Sequence, residues 1–293
     1  MEECQSQFKW DRWNCPRSSF AISKIERPPG TRETAFVHAI ISAGITYTLT
    51  KNCSLGHLPS CSCDRSKRVA KGEQPAPPSV AANDSAAAVQ WTWGGCSDNF
   101  RFGDRMARRF LDTREVNKDI NALVNLHNNR VGRIAVRKTM RRVCKCHGTS
   151  GSCASVTCWM QLADMAEVGR RLRQAYEGAR RVEFNANVRP EDLMPQWQAS
   201  RNVLLYTAPS PNFCKLNLTA GSNGTRGREC SLRTGTNVSR SEQESCRKLC
   251  NDCGLGVRRE IQVHSETCNC KFLWCCSVKC DTCPITVQRH FCT

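Results

Sequence analysis

Cys144-Lys-Cys-His-Gly-Thr-Ser-Gly-Ser-Cys153 is followed five residues later by Cys158, so four cysteines fall within fifteen residues. No large apolar side chain lies between Cys146 and Cys153, and burial therefore cannot hold this segment together. The simplest pairing nests two bridges, with Cys144–Cys158 outside and Cys146–Cys153 inside. The spacing predicts a narrow, rigid hairpin whose tip carries His147, Thr149, Ser150 and Ser152.

The rest of the chain is also rich in cysteine. It has 293 residues, enough for one large or two ordinary domains, and 22 of them are cysteines. An even number at close spacing predicts a disulfide framework formed in an oxidising compartment. Zinc is the alternative, because Cys250-x-x-Cys253 and Cys280-x-x-Cys283 have ligand-like spacing. Six histidines are few for such sites, and the adjacent Cys275-Cys276 suits a bridge better than a tetrahedral metal.

The net charge of +17 favours a polyanionic partner. In a secreted protein that partner is a sulfated glycosaminoglycan, with heparan sulfate the main candidate, or an anionic membrane surface. Nucleic acid is the intracellular alternative, and the cysteines argue against it. Basic runs occur at 105–109, 137–145 and 170–173, and for each run taken singly a solvated helix face is the favoured interpretation.

The sequence opens with the polar Met1-Glu-Glu-Cys4, which has no apolar signal-peptide core. Since a disulfide-rich protein must enter the secretory pathway, we expect the signal peptide to be missing from this sequence. No apolar run approaches the roughly eighteen residues of a membrane span.

Apolar residues recur at helical spacing in four segments, 31–49, 100–111, 117–143 and 160–181. The stapled hairpin is thus predicted to project from between two long helices. His127 lies in the third segment and is interpreted as a hydrogen-bonded helix residue, because no second ligand follows at i+4. Segment 65–90, rich in Pro, Ala and charge, is predicted to be a surface insertion.

Twelve cysteines lie between Cys214 and Cys292, where apolar residues are sparse. Bridges and short strands, not a large core, are expected to hold this part. A bridge between the neighbours Cys275 and Cys276 would force a tight turn with apolar side chains at its tip. Exposed apolar tips usually mark a contact site, although packing on their own subdomain is equally compatible with the sequence. The tip residues are Phe272, Leu273, Trp274, Cys275, Cys276 and Val278.

These patterns predict a mainly α N-terminal domain with stapled β-hairpins, followed by a small disulfide-rich β-hairpin domain. The expected boundaries are 1–184 for the helical domain with its hairpin at 144–158, 185–212 for a linker, and 213–293 for the cysteine-rich domain. Five Asn-x-Ser/Thr sequons fit a secreted glycoprotein: Asn52, Asn83, Asn217, Asn223 and Asn237.

A secreted serine hydrolase is the competing interpretation. Gly148-Thr-Ser-Gly-Ser152 nearly matches the nucleophile elbow Gly-x-Ser-x-Gly, with Ser150 as the nucleophile. However, the last position is serine, a basic segment precedes it instead of a buried strand, and the flanking cysteines impose a hairpin. The sequence therefore favours a ligand over an enzyme.

The segment 144–159 resembles the signature of the Wnt family of secreted morphogens. Supporting matches are Phe8-Lys-Trp-Asp-Arg-Trp-Asn-Cys-Pro16, Thr31-Arg-Glu-Thr-Ala-Phe-Val-His-Ala39, Trp93-Gly-Gly-Cys-Ser-Asp-Asn99 and Asn125-Leu-His-Asn-Asn129. The match runs from Cys4 to Cys292 and looks most like the eighth Wnt subclass.

This resemblance implies a role for each tip. Ser150 would carry a palmitoleoyl ester added by the acyltransferase Porcupine, with Wntless as the secretion escort and no other cofactor. The lipidated hairpin, with Lys145, His147, Gly148, Thr149, Gly151 and Ser152, would enter a groove of the Frizzled cysteine-rich domain. The tip at 272–278 would grip the opposite side. LDL-receptor-related coreceptors would bind elsewhere, and the esterase Notum would remove the lipid in the extracellular space and matrix.

The resemblance also implies the remaining disulfide pairs, which spacing alone does not select. They are Cys4–Cys15, Cys53–Cys61, Cys63–Cys96, Cys214–Cys253, Cys230–Cys246, Cys250–Cys292, Cys268–Cys283, Cys270–Cys280 and Cys275–Cys276.

Overall fold

The computed structural model describes residues 1–20, 30–64, 91–115, 119–182, 202–217 and 222–293. The chain divides into two compact units. The helical unit is Ser23–Ser210, and the terminal unit combines Met1–Ile22 with Pro211–Thr293. This division corrects the predicted boundaries, because residues 1–20 belong with the cysteine-rich part and not with the helices. The predicted insertion at 65–90 and most of the predicted linker lie outside the described residues.

Both units contain helices and strands. The helices are α1 (Glu2–Gln7), α2 (Arg32–Ser54), α3 (Phe100–Leu111), α4 (Ile120–Thr139), α5 (Met165–Glu177), α6 (Arg240–Gln243) and α7 (Ser245–Leu249). The strands are β1 (Trp91–Gly94), β2 (Arg141–Cys146), β3 (Ser155–Gln161), β4 (Arg180–Arg181), β5 (Leu205–Tyr206), β6 (Leu216–Asn217), β7 (Ser222–Asn223), β8 (Glu229–Cys230), β9 (Val257–Leu273) and β10 (Ser277–Cys292). Among the described helices, none is long and apolar enough to cross a bilayer.

Helix α2 is the centre of the helical unit and packs against α3, α4 and α5. Its first turn is capped by Thr31, whose hydroxyl accepts the Thr34 backbone N–H at 3.3 Å. Phe36 and Ile40, four residues apart in the segment predicted to be helical, are buried. The predicted helices over 117–143 and 160–181 are longer than α4 and α5, because residues 141–146 and 155–161 pair as strands instead.

Helices α2 and α4 cross at Gly132. A Cβ built there would lie 2.0 Å from the Ala39 carbonyl oxygen of α2. Gly132→Ala should therefore destabilise the helical unit by about 1–3 kcal/mol, the usual cost of overpacking a core. Urea unfolding of the secreted protein measures it. Gly44→Ala on α2 is the matched control, because no atom lies within 4 Å of its Cβ position and alanine there should raise stability by about 0.5–1 kcal/mol. Equal effects of the two changes would contradict the close crossing.

Arg133 lies in this core with 3% of its surface exposed. Its two terminal nitrogens each lie 3.1 Å from an Asp112 carboxylate oxygen and form a bidentate pair. Its Nε lies 3.0 Å from Asp104 Oδ1, at an angle that makes an ion pair without a hydrogen bond. The arginine thereby ties α4 to α3 at Asp104 and to Asp112, the residue that follows α3.

Burial lowers the pKa of His38 on α2 to about 4, against the opposing effect of a hydrogen bond with Asn129. The unfolded chain, with a His pKa of 6.5, binds more protons than the folded chain between these values. Stability should consequently fall as pH drops from 6.5 to about 4. Urea midpoints at pH 7.5, 6 and 5 measure the loss. His38→Gln should reduce the pH slope, and an unchanged slope in this variant would contradict the assignment.

Two polar side chains of α4 hold the returning segment that contains β5. Asn128 donates to the Leu205 carbonyl at 2.9 Å and accepts the Leu205 N–H at 3.0 Å, as a neighbouring strand would. A ring nitrogen of His127 lies 2.9 Å from the Val203 carbonyl oxygen. The interpretation of His127 as a hydrogen-bonded helix residue is confirmed.

The terminal unit joins the first twenty residues to the cysteine-rich part. Phe8 and Trp13 are buried and meet edge to face at 4.7 Å. Arg12 donates to the Lys248 carbonyl at 3.0 Å and pairs with Asp252 at 3.1 Å. In return, Arg228 donates to the backbone carbonyls of this loop. These contacts explain why the stapled loop belongs with the cysteine-rich residues.

Candidate ligand hairpins

The first hairpin is formed by β2 and β3, which pair antiparallel with Cys144 opposite Cys158. Strand β1 pairs with β3 on its other side, in parallel. Both nested bridges, Cys144–Cys158 and Cys146–Cys153, are present. The hairpin predicted from spacing is therefore found in the structure.

Ser150 occupies the tip in the left-handed backbone conformation, with φ 56° and ψ 27°. The next residue, Gly151, also has a positive φ of 79°, and only glycine adopts this without strain. Three backbone bonds close the turn. Gly148 N–H donates to the Ser152 carbonyl at 2.7 Å, Gly151 N–H to the Gly148 carbonyl at 2.9 Å, and Ser152 N–H to the Thr149 carbonyl at 3.1 Å. The Ser150 side chain is exposed.

The remaining predicted residues of this hairpin surround Ser150. Gly148 is half-buried, and a Cβ there would meet the Ser152 carbonyl oxygen at 2.5 Å. The turn thus requires glycine at 148 for space and at 151 for its dihedral angle. Exposed side chains complete the tip: Lys145, His147, Thr149 and Ser152.

The base of this hairpin is held by a segment whose role the sequence did not reveal. Ser97 Oγ accepts the Met160 N–H at 3.0 Å, and Asp98 Oδ2 accepts the Leu162 N–H at 2.6 Å. Asn99 then caps α3 by accepting the Phe102 N–H at 3.0 Å. The available signal was Cys96-Ser-Asp-Asn99, since these are residues that accept backbone bonds at strand ends and helix caps.

The second hairpin consists of β9 and β10, which pair antiparallel from Val257 and Cys292 to Leu273 and Ser277. Cys268–Cys283 and Cys270–Cys280 bridge the two strands. The apolar tip predicted from the sequence is exposed: Phe272 69%, Leu273 47%, Trp274 94% and Val278 63%. Its side chains do not pack on their own unit, so the contact-site interpretation is favoured.

Cys275 and Cys276 are free, exposed thiols in the structure. The expected Cys275–Cys276 bridge is thus a wrong prediction here. Both residues adopt positive φ, 82° and 75°, and Leu273 pairs with Ser277 across them. The tight turn that the bridge was expected to impose is produced by backbone conformation and strand pairing.

The other ten expected bridges are present. Four lie in the helical unit, namely Cys53–Cys61, Cys63–Cys96 and the two nested pairs. Six lie in the terminal unit: Cys4–Cys15, Cys214–Cys253, Cys230–Cys246, Cys250–Cys292, Cys268–Cys283 and Cys270–Cys280. The sulfurs of Cys230, Cys250 and Cys292 lie close together. All three belong to disulfides, so they are not thiolates that could bind a metal.

The sequons differ in accessibility. Asn217, Asn223 and Asn237 are exposed, and Asn52 is half-buried near the end of α2, where its Oδ1 lies 3.2 Å from a ring nitrogen of His57. The Asn83 sequon lies outside the described residues.

Ser150 does not sit in a nucleophile elbow. An elbow runs from a strand through a sharp turn into a helix, whereas this turn joins two antiparallel strands. Within the described residues no hydrogen bond joins the Ser150 hydroxyl to a histidine or a carboxylate.

Two stapled hairpins, one with an exposed serine and one with an exposed apolar tip, define a protein that presents binding tips on disulfide-held scaffolds. The Wnt family model matches residues 1–293. The chain is 48% identical to Wnt-8a of Danio rerio and 45% identical to Wnt-8c of Gallus gallus, in each case over all of this chain and 80% of the relative. Human Wnt-8a is 44% identical, with 82% of it covered.

A solved structure titled human WLS in complex with WNT8A aligns with a TM-score of 0.71 and 41% identity, over all of this chain and 89% of that one. The chain belongs to the Wnt family. Members of this family are secreted signalling ligands and not enzymes, so the hydrolase alternative is dismissed. The predicted family, the similarity to the eighth subclass and the predicted fold class are confirmed.

Proposed function

We propose that this chain is a lipid-modified ligand that carries a palmitoleoyl ester on Ser150 and binds the cysteine-rich domain of Frizzled receptors. The observation that carries the proposal is the exposed Ser150 hydroxyl at the tip of a doubly stapled hairpin. An acyltransferase needs an accessible hydroxyl, and the neighbours Thr149 and Gly151 obstruct it little. A rigid tip also reduces the conformational entropy lost on binding.

Mass spectrometry of the peptide spanning Cys144 to Cys158 tests this proposal. The chain is expressed behind a supplied signal peptide in cells with and without Porcupine activity. The expected result is a Porcupine-dependent increase equal to one monounsaturated sixteen-carbon acyl group on Ser150. An unmodified but fully bridged peptide from active cells would overturn the proposal.

The second hairpin is proposed to grip the receptor domain through its apolar tip. Trp274→Ala should weaken binding to the isolated cysteine-rich domain by about 2 kcal/mol, because tryptophan is the commonest hot-spot residue and this one is 94% exposed. Biolayer interferometry with the secreted ligand measures this. Thr282→Ala, at an exposed position farther along β10, is the control, and equal affinities of the two variants would contradict a grip by the tip.

Other partners follow from the proposed role. WNT8A is seen with WLS in the related structure, which supports Wntless as the escort of this chain. LDL-receptor-related coreceptors, the esterase Notum and extracellular heparan sulfate complete the proposed set, the last supported by the +17 charge. Glycosylation is proposed at the exposed Asn217, Asn223 and Asn237, with Asn52 and Asn83 as further acceptors.

A further inference from the structure

A groove of about 820 Å³ lies beside β10 in the terminal unit, at the opposite end of that strand from the apolar tip. One wall is the segment 286–290 of β10, and the facing wall is 231–233. Lys9 and Trp10, from the stapled N-terminal loop, complete the lining. Neither proposed receptor contact uses these residues.

The β10 wall is an open sheet edge. Strand β8 pairs with β10 only at His290 and Phe291. Next to them, Cys292 donates its N–H to the Arg228 carbonyl at 3.0 Å and accepts the Gly227 N–H at 2.8 Å. Because a strand residue points both backbone groups to one side and the side alternates, Thr286 and Gln288 present their N–H and C=O groups to the same edge. In the part of the chain that the structure describes, no strand pairs with them.

The facing wall cannot close this gap, because its backbone is engaged elsewhere. Ser231 N–H donates to Ser245 Oγ at 2.8 Å, and Arg233 N–H donates to the Ser231 hydroxyl at 3.2 Å. These bonds turn the chain away from β10 directly after β8. The groove is what remains between the two diverging walls.

The charges that line the groove are unbalanced. Glu229 pairs with Arg289 at 3.5 Å, and Glu242 accepts the Ser231 hydroxyl at 3.0 Å. Lys9 and Arg233 are exposed and form no ion pair among the described residues. Lys9, Arg233 and Arg289 thus outnumber the two carboxylates of the lining by one positive charge, and Leu232 beside them is 56% exposed.

We propose that this groove binds an extended acidic peptide segment of a partner protein, which adds to the free edge of β10 as a strand. Backbone bonds to Thr286 and Gln288 supply the pairing, as in other strand additions to open edges. Lys9 and Arg233 select carboxylate side chains by charge complementarity. The site is separate from both hairpin tips and is independent of Ser150 acylation.

The probe is a fluorescein-labelled decapeptide of alternating glutamate and valine, measured by fluorescence anisotropy against the full secreted chain. Two comparison peptides carry lysine in place of glutamate or N-methyl groups on every amide, so that neither edge of the second peptide can donate a backbone hydrogen bond. The acidic peptide should bind, and both comparison peptides should not. If the N-methylated peptide binds the unaltered chain as tightly as the acidic peptide does, the proposal is overturned.

Variants locate the site. Gln288→Pro removes the N–H that faces the groove and should therefore abolish peptide binding. The variant should still fold, because proline is tolerated on an edge strand. Gln288→Ala keeps that N–H and should bind the peptide normally. Arg233→Glu should weaken the acidic peptide by roughly fivefold, the upper range for one exposed ion pair. Recovery of the Cys250–Cys292 bridge by peptide mapping verifies folding. Unchanged peptide binding by folded Gln288→Pro overturns the proposal. A variant that alters self-association of the chain instead of peptide binding also overturns it.

Discussion

Ser150→Ala is expected to abolish receptor activation while leaving secretion-competent folding intact. Acyl burial contributes about 0.8 kcal/mol per methylene, so a sixteen-carbon chain supplies on the order of 10 kcal/mol before entropic costs. A polar hairpin contact is worth roughly 1 kcal/mol net. Loss of the lipid should therefore lower potency by at least about a hundredfold, measured with a receptor-dependent reporter across a dilution series.

Ser152→Ala is the matched control for this change. Its hydroxyl lies two residues away on the same exposed tip, and the two turn bonds at this residue are made by its backbone carbonyl and N–H. The variant should keep nearly full potency. Normal activation by Ser150→Ala, with both bridges intact by peptide mapping, would show that the serine is not the acyl acceptor that drives binding.

Arg133→Met should destabilise the helical unit by about 3–5 kcal/mol, which is the cost of removing one member of a buried ion pair. The two carboxylates that Arg133 holds, on Asp104 and Asp112, are only about a quarter exposed. Without Arg133, Asp104 would keep only the exposed Arg108 at 3.5 Å, and Asp112 only a hydrogen bond from Asn129 at 3.4 Å. Chemical denaturation of the purified protein measures the change, and a loss of this size should also reduce secretion.

Two comparisons separate charge from volume in this prediction. Arg137→Met lies one turn further along α4 at an exposed position and should change stability little. Adding Asp112→Asn to Arg133→Met should recover part of the loss, because the residues share one network. A double variant as unstable as the sum of its parts would argue that packing, and not the ion pair, sets the cost.

The elements that could be predicted from the sequence are those with local causes. The periodicity of Phe36 and Ile40 predicts α2, and the spacing of four cysteines predicts the Ser150 hairpin with both of its bridges. The predicted helix over 117–143 ends four residues after α4 does, because local periodicity gives no sign that Arg141–Cys146 pairs with β3. Tertiary pairing overrides local preference at such boundaries.

The parts that could not be predicted depend on partners distant in sequence. An arginine in an amphipathic pattern is normally assigned to solvent, so Arg133 gave no sign of its buried role. The docking of Arg12 on Lys248 and Asp252 is likewise invisible in the Cys4–Cys15 loop itself. In the second hairpin, the sequence predicted an exposed tip but attributed its turn to a bridge, whereas backbone dihedral angles at Cys275 and Cys276 produce it.

The terminal unit takes its residues from both 1–22 and 211–293, and ribosomal synthesis delivers these parts far apart in time. At 5–20 residues per second, the Arg12 loop waits on the order of tens of seconds for the residues that anchor it. Throughout that interval Phe8 and Trp13 lack most of the unit that later buries them, and they form a natural recognition signal for lumenal chaperones. Substitutions in this loop should therefore cause retention of the chain in the endoplasmic reticulum. The molecules that are secreted should still signal with normal potency.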